Sequence, residues 1–487
     1  MSDARRRIGF VVCLATMLLA VLDQNIVSAV TVPIARDLDP AHGVDRIPWL
    51  ISTFALAATA ALPLYGKLCD SLGAKRVFLG AVGTFLLGSV LCGAARSMDQ
   101  LIAFRALQGL GGGGLMSVTM VVIAQLKGPD ERGAGKGAGI GGLVAGAGMA
   151  LGPVVGGVLA DHADWRWIFY VNLPVGLAVL IAAALVLRLP RHGVRHRIDF
   201  LGAGLAAAFS SALLLVTEWG GREYGWGSPT ILGLAGAAVL LLVLFLWRQA
   251  TAAEPLLPLS LFRDRTLRTG FAVQGLVGVA MMGSLIYVIV YLQLVRGIAP
   301  TAASLFMLPM AAGIAASGLV TSRLGTRAPS QKTSIVIGTG CAAVAMALLS
   351  TNGPDTDLWA LRAELLLLGI GFGQTLGQLI VVVQRAAPPH QLGVATTGVR
   401  FFQTLGGSLG AALFGTILAR VYAAHGPGGA TSAIPRLTGA TRARAAEAFS
   451  TSVGVVFLCA AALLALAAVL AARIGSGRGV GEGWGGR

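Results

Sequence analysis

The sequence predicts an all-α polytopic membrane protein, and three observations lead to this prediction. Hydrophobic residues make up 55% of the 487 residues, and charged residues make up 12%, against roughly 25% charged residues in soluble proteins. The mean hydropathy is +0.78. Apolar runs of about 18 or more residues recur along the chain, and each can cross the ~30 Å hydrocarbon core of a bilayer as a helix. A soluble multi-domain enzyme is therefore not expected.

Hydropathy predicts fourteen membrane-spanning helices, arranged as two six-helix bundles with two extra central helices between them. The predicted spans cover residues 10–33, 47–66, 77–95, 101–126, 137–160, 166–187, 199–217, 229–247, 270–295, 302–322, 333–350, 358–383, 391–419 and 449–472. The corresponding domains are an N-terminal six-helix bundle (1–190), a two-helix insertion (191–250), a cytoplasmic linker (251–269) and a C-terminal six-helix bundle (270–487).

The distribution of basic residues predicts how the spans are oriented. Of the 37 lysines and arginines, 24 lie on the side of the membrane that holds both termini and 11 lie on the opposite side. Because cytoplasmic loops carry the basic excess, both termini are predicted to be cytoplasmic, in a multi-pass protein of the inner membrane. Topology thus explains the net charge of +16 without nucleic-acid binding. The basic outer loop 420–448 departs from this rule, and its role is left open.

A glycine repeat indicates that the two bundles are related. Glycines occupy alternate positions at 109, 111 and 113 in the fourth span and at 369, 371 and 373 in the twelfth span, which holds the same place in its own bundle. Two similar halves that face each other, with a site near the midplane, form a typical transporter architecture.

Two charged residues within the spans are candidates for moving a proton. Asp23 lies about 20 Å from the cytoplasmic end of the first span, where the protonation of a carboxyl group depends on its burial and on nearby cations. Arg105 in the fourth span has the reach to pair with it. The alternative for both residues is a permanent structural hydrogen-bond network or ion pair.

Further polar residues within the spans are candidates for a second proton site or for substrate contacts. Glu364 either carries a proton or meets a cationic substrate, or it is solvated near the outer interface. Arg400 is either a binding or gating charge or a side chain that reaches the cytoplasmic surface. The residues predicted to line a substrate cavity are Gln24, Gln108, Gln374, Gln378 and Arg400.

Patterns that resemble catalytic motifs do not predict an enzyme. Gly109 to Gly114 matches a dinucleotide-binding pattern, but no strand precedes it. Gly406 to Gly410 matches a nucleophile elbow, yet it lies in an apolar helix, and all six histidines lie in loops. The five cysteines have no paired spacing, which favours neither disulfides nor a zinc site. No catalytic residue, metal or cofactor is predicted.

Five segments together resemble the major facilitator superfamily, specifically its fourteen-span drug:proton antiporter branch. Residues 66–76 resemble the signature of the loop between spans 2 and 3, and residues 105–109 resemble that of span 4. Residues 148–157, with Gly148, Gly152, Pro153, Gly156 and Gly157, resemble the antiporter signature of span 5. Residues 22–33 and 165–174 resemble the signatures of span 1 and of the start of span 6. The resemblance covers nearly the whole chain.

The resemblance implies roles for the residues in these segments. Asp23 and Arg105 would form a proton relay, with Glu364 as a further candidate. Asp70 and Arg76 would close the cytoplasmic gate in the outward-facing state through charge and helix-end contacts. The residues implied in that gate are Gly66, Asp70, Gly73, Lys75 and Arg76. The glycines and proline of span 5 would form a helix contact that seals and slides.

These observations predict a proton-driven antiporter that exports hydrophobic or amphipathic toxic compounds by alternating access. Its expected partners are protons, the lipid bilayer and a small hydrophobic or cationic substrate, and it is expected to act as a monomer without nucleic acid. The sequence leaves three alternatives open: a dedicated exporter of an endogenous antibiotic or lipid, a proton-coupled importer, and a membrane-embedded enzyme or sensor. The last two are disfavoured by the span 5 signature and by the lack of a catalytic site.

Overall fold

A computed structural model of the chain shows a bundle of long α-helices. The structure describes residues 3–40, 46–131, 164–189, 199–220, 224–298, 300–324, 330–427 and 437–474, together with residues 148, 152, 155, 159 and 434. Within these residues the helices are α1 Asp3–Ala29, α2 Thr31–Leu38, α3 Ile47–Leu72, α4 Ala74–Gly93, α5 Met98–Glu131, α6 Trp167–Tyr170, α7 Asn172–Val186, α8 Phe200–Trp219, α9 Pro229–Thr251, α10 Arg265–Leu294, α11 Pro300–Leu305, α12 Leu308–Leu324, α13 Gln331–Leu349, α14 Leu358–Ala386, α15 Leu392–His425 and α16 Gly439–Ala471.

Twelve helical segments in the described residues are long and apolar enough to cross a membrane. They coincide with twelve of the fourteen predicted spans. The predicted tenth span corresponds to α12, whose apolar stretch, Leu308–Thr321, is shorter. The predicted fifth span, 137–160, lies mostly outside the described residues. The structure therefore confirms a multi-pass all-helical protein with twelve membrane-length helices, and the count of fourteen is not confirmed.

The ends of the helices follow from local sequence. Gly73 has a φ of +88°, and this backbone conformation ends α3 and starts α4 without an intervening loop. Other helices begin at an Asp or Ser whose side chain accepts a hydrogen bond from a backbone N–H of the first turn. These residues are Asp199, Ser228, Asp264, Ser330 and Asp357.

The repeated glycines pack equivalent helices in both halves. In the N-terminal half, α5 packs against α3 and α4, and in the C-terminal half α14 packs against α12 and α13. A Cβ atom on Gly111 would lie 2.7 Å from Phe85 Cα of α4, and one on Gly371 would lie 2.6 Å from Ala342 N of α13. Because an ordinary side chain does not fit at either place, the glycines allow the helix backbones to approach closely.

The two central helices, α8 and α9, lie against each other, and α8 also contacts α3 and α15. α9 is the least buried of the candidate spans, with 17% of its most apolar window inside the fold. Its exposed side chains are large and apolar, as expected of a surface that faces lipid. They are Leu232, Val239, Leu240, Val243, Leu244, Leu246 and Trp247.

Candidate functional site

A buried polar network surrounds Asp23 of α1. The Asp23 carboxylate is fully buried, and its Oδ2 lies 3.2 Å from Nη1 of Arg105 on α5. Its Oδ1 accepts hydrogen bonds from Gln108 Nε2 at 2.9 Å and from Asn172 Nδ2 at 2.7 Å. The structure therefore brings together the two residues predicted for a proton relay and gives the carboxylate three donor side chains.

A second set of contacts holds these donors in place. Ser89 Oγ of α4 accepts from Gln108 Nε2 at 2.8 Å and from Asn172 Nδ2 at 3.4 Å. Arg105 Nη1 also donates to Gln108 Oε1 at 2.7 Å, and the guanidinium lies 4.2 Å from the centre of the Phe54 ring. These hydrogen bonds offset the free energy lost when the charged pair is removed from water.

The Asp23 network lies inside the N-terminal half, since its side chains come from α1, α4, α5 and α7. Asp23, Gln108 and Ser89 are 0% exposed, and Asn172 is 1% exposed. Gln108, predicted for the substrate cavity, is thus a member of this network, whereas Gln24 beside Asp23 is exposed. The Asp23 carboxylate is thus closed off from solvent in this structure.

Sequence reasoning missed Asn172 and Ser89. Asn172 belongs to the segment that resembles the span 6 signature, and an asparagine at the start of an otherwise apolar helix was the available signal. Ser89 gave no comparable signal, because a lone serine in a transmembrane helix commonly bonds its own backbone.

A second cluster joins the two halves where α3 ends and α15 begins, and we call this region the Asp70 end. The Asp70 carboxylate accepts hydrogen bonds from Gly393 N at 2.7 Å and from Val394 N at 2.9 Å, in the first turn of α15. A carboxylate is favourable there because the first N–H groups of a helix lack partners within it. A Cβ atom on Gly66 would lie 2.8 Å from Val394 Cα, so the two backbones touch.

The other residues of the predicted gate take different positions. Gly73 supplies the turn between α3 and α4, and Lys75 Nζ donates to Ala184 O of α7 at 2.7 Å. Arg76 is exposed on α4 and is not among the groups that bond Asp70. The partners of Asp70 are backbone N–H groups. Sequence reasoning missed Lys67, which is 7% exposed with Nζ 3.5 Å from Glu254 Oε2.

The candidate residues of the C-terminal half lie apart from the Asp23 network. Glu364 of α14 is half-buried and accepts from Asn352 Nδ2 at 2.7 Å. Further along α14, Gln374 Oε1 accepts from Thr321 Oγ1 at 2.8 Å, and Gln378 is 6% exposed. Arg400 of α15 donates from Nη1 to Gln403 Oε1 at 2.9 Å. The structure therefore does not join Glu364 to Asp23 and Arg105.

The predicted antiporter motif is described in part. A Cβ atom on Gly148 would lie 2.6 Å from Val21 Cγ1, so this part of the motif packs closely on α1. Gly152 is buried. Pro153, Gly156 and Gly157 lie outside the described residues.

No cluster of three or more His, Cys, Asp or Glu side chains suited to a metal ion occurs among the residues that the structure describes. All five cysteines are described, and each is a free thiol.

Residues 12–411 match the Major Facilitator Superfamily, and the chain belongs to this family. It is 34% identical over 464 residues to the puromycin resistance protein pur8 of Streptomyces alboniger. The aligned region covers 94% of this chain and 90% of that protein. It is 30% identical over 417 residues to the multidrug transporter protein MdtP of Bacillus subtilis, covering 86% of this chain and 76% of the relative.

A solved structure shares the fold. The human organic anion transporter MFSD10 superposes on this chain with a TM-score of 0.66, and the superposition covers 95% of this chain and all of that chain. Because the sequence identity is 17%, the two proteins are similar in fold alone. The protein is thus a multi-pass membrane transporter and not an enzyme, and its relatives at 30 to 35% identity include proteins named for multidrug and antibiotic resistance.

Proposed function

We propose that this chain is a fourteen-span, proton-coupled antiporter that exports hydrophobic or amphipathic compounds across the cytoplasmic membrane, with both termini in the cytoplasm. The Asp23 network carries this proposal, because a sealed carboxylate with a cation and two amide donors is a site at which one proton changes many contacts. The names of the relatives support export of toxic compounds. Twelve of the fourteen proposed spans have membrane-length helices in the described residues. The other two are the fifth span, which lies mostly outside the described residues, and the tenth, which corresponds to the short α12.

Protonation of Asp23 changes the balance of the network in a definite direction. The ionised carboxylate accepts from Arg105, Gln108 and Asn172. A proton on the carboxyl group removes its attraction for the Arg105 guanidinium and occupies one of its acceptor positions. The helices that supply these donors then favour another arrangement, and coupling follows when protonated and ionised Asp23 prefer different conformations.

The proposed cycle requires the contact between α3 and α15 at the Asp70 end to form and break. The bonds of Asp70 to Gly393 N and Val394 N hold α3 against α15 on the proposed cytoplasmic side, which supports the proposal that this contact is formed in the outward-facing state. Loading of cargo from the cytoplasm requires these bonds to break. Proton entry at Asp23 and cargo release are therefore proposed to alternate with opening and closing at the Asp70 end.

A second candidate is a dedicated exporter of a single compound. The relative named for puromycin resistance favours it, because that name denotes one antibiotic. Both candidates share the same proton coupling, and they differ in how many compounds the chain moves. A growth-inhibition panel of lipophilic cations, anions, neutral antibiotics and dyes separates them: protection from several classes indicates a broad pump, and protection from one compound indicates a dedicated exporter.

The coupling is tested in everted membrane vesicles from an efflux-deficient host, energised to be acidic inside and monitored with a pH-sensitive acridine dye. A compound against which the wild type protects growth is expected to release protons from vesicles that contain the wild type. Vesicles with Asp23→Asn at a matched level are expected to show no release. Asp355→Asn is the matched control, because Asp355 is an exposed loop carboxylate. Proton release by Asp23→Asn equal to that of the wild type refutes the coupling role.

A further inference from the structure

Three cations of the described helices pair with a carboxylate; Lys67 and Arg105 are buried and Arg248 is part-buried, as Arg400 is. Arg105 pairs with Asp23 at 3.2 Å, Lys67 with Glu254 at 3.5 Å and Arg248 with Asp199 at 3.0 Å. Arg400 departs from this pattern. Its side-chain contact in the described structure is Gln403 Oε1 at 2.9 Å, and no described carboxylate lies within ion-pair distance of it.

Arg400 lies well inside the membrane-spanning part of α15. It is eight residues from the start of the helix at Leu392, which corresponds to about 12 Å along the axis. Its bond to Gln403, one turn deeper, holds the guanidinium at that depth. This geometry disagrees with the alternative that Arg400 reaches back to the surface at the Asp70 end.

The face of α15 that carries Arg400 points to the contact between the two halves. One turn earlier, Thr396 Oγ1 accepts from Gln384 Nε2 of α14 at 3.3 Å. The same amide lies 3.3 Å from Met120 O of α5, so Thr396 sits where α5, α14 and α15 meet. Arg400, one turn further along α15, therefore lies on the side of the helix that is turned toward the contact between the halves.

Among the described residues, no carboxylate forms an ion pair with Arg400. Between residues 265 and 474 the acidic residues are Asp355, Asp357, Glu364 and Glu447. Glu364 precedes Gln384 on α14 by twenty residues, about 30 Å along the axis. Asp23 pairs with Arg105, Asp70 accepts from the start of α15, and Glu254 pairs with Lys67.

We infer that Arg400 is the residue of the substrate cavity that recognises charge, and that the cargo carries an anionic group on an apolar body. This inference rests on the proposed export function and specifies its substrate class as amphipathic anions such as carboxylates or sulfonates. Five N–H donors belong to a guanidinium, and the Gln403 bond uses one of them. The remaining donors match the paired oxygens of a carboxylate or sulfonate. The same positive charge repels a lipophilic cation, which was one of the two kinds of substrate, hydrophobic or cationic, expected from the sequence.

The test uses two probes with one apolar body and opposite charges, pyrenebutyrate and a pyrenebutyl trimethylammonium. Binding to the purified full-length protein is followed by energy transfer from tryptophan to pyrene. We expect the wild type to bind the anion at least about tenfold more tightly than the cation, and Arg400→Gln to lose that preference through about tenfold weaker anion binding. Arg400→Lys keeps the charge and is expected to keep a preference for the anion.

Arg420→Gln is the matched control, because Arg420 is an exposed arginine on the same helix. It is expected to bind both probes as the wild type does. Wild-type protein that binds the cation as tightly as the anion overturns the inference without any variant, and so does Arg400→Gln with unchanged anion affinity and a wild-type elution profile. If Asp23→Asn still abolishes proton exchange in that case, the export proposal stands and only the assigned charge of the cargo is wrong.

Discussion

The contact between α3 and α15 at Gly66 gives a prediction whose size follows from the structure. A Cβ atom added at Gly66 would lie 2.8 Å from Val394 Cα, whereas real Cβ atoms essentially never come closer than 3.0 Å and ordinary contacts begin at 3.4 Å. It would also meet Thr397 Oγ1, which is held by a hydrogen bond to Gly393 O. Since Val394 Cα is backbone and cannot rotate away, Gly66→Ala must separate the two helices, and an ordinary contact of 3.4 Å is restored by a shift of about 0.6 Å.

That separation removes part of the attraction that closes the Asp70 end. The bond from Val394 N to Asp70 is 2.9 Å long, and a shift of about 0.6 Å carries it to the limit of hydrogen-bond distance. A hydrogen bond to a charged group contributes about 1.5–3 kcal/mol, and overpacking adds about 1–3 kcal/mol. Since about 1.4 kcal/mol corresponds to a factor of ten, the open population is expected to rise at least tenfold.

Cys69 reports this opening without an engineered label. Its side chain is 3% exposed, and its Cβ would lie 2.9 Å from a Cβ on Gly393, so α15 covers it in the closed structure. The rate of maleimide labelling, resolved by peptide mass spectrometry, measures how often the thiol is uncovered. Gly66→Ala leaves the Asp70 charge beside the thiol unchanged, so a faster rate reports exposure. We expect at least tenfold faster labelling of Cys69.

A matched glycine variant separates opening from a general loss of packing. Gly80→Ala introduces the same Cβ at a helical position with no neighbouring atom within 4 Å. Its Cys69 is expected to react at the wild-type rate. Labelling of Gly66→Ala within about twofold of wild type would refute the assignment of this contact as the closure of the Asp70 end.

Three further predictions concern the other contacts. Asn172→Leu leaves Asp23 Oδ1 with one donor fewer, so proton release in everted vesicles should fall about tenfold or more; an unchanged rate would remove Asn172 from the relay. Gly73→Ala forces an ordinary residue to a φ of +88°, which should cost about 1–3 kcal/mol and lower the thermal midpoint in detergent, whereas an unchanged midpoint would contradict this. Lys67→Met and Glu254→Gln should couple by about 0.5–3 kcal/mol in a double-mutant cycle of unfolding, and additive effects would exclude their pairing.

Composition and hydropathy by themselves determined that the chain is a membrane protein and where most of its helices lie. These properties are local, since an apolar run must form a helix once it is in lipid. The Asp23 and Arg105 pair was also predictable, because burying two opposite charges within apolar spans costs free energy unless the two side chains form an ion pair. The spacing of the glycines in α5 and α14 likewise indicated close helix contacts in both halves.

Only the tertiary structure decided which polar groups share a site. Asn172 and Asp23 are 149 positions apart, and Asp70 and Gly393 are 323 positions apart. Gln108 shows the limit of sequence reasoning, since the sequence left it between the substrate cavity and the Asp23 network, and the structure shows its contacts with Asp23. A helix that is apolar on all sides carries no periodic signal for its inward face. Its rotation, and with it the partner of every polar side chain, is set by packing against helices that are distant in the sequence.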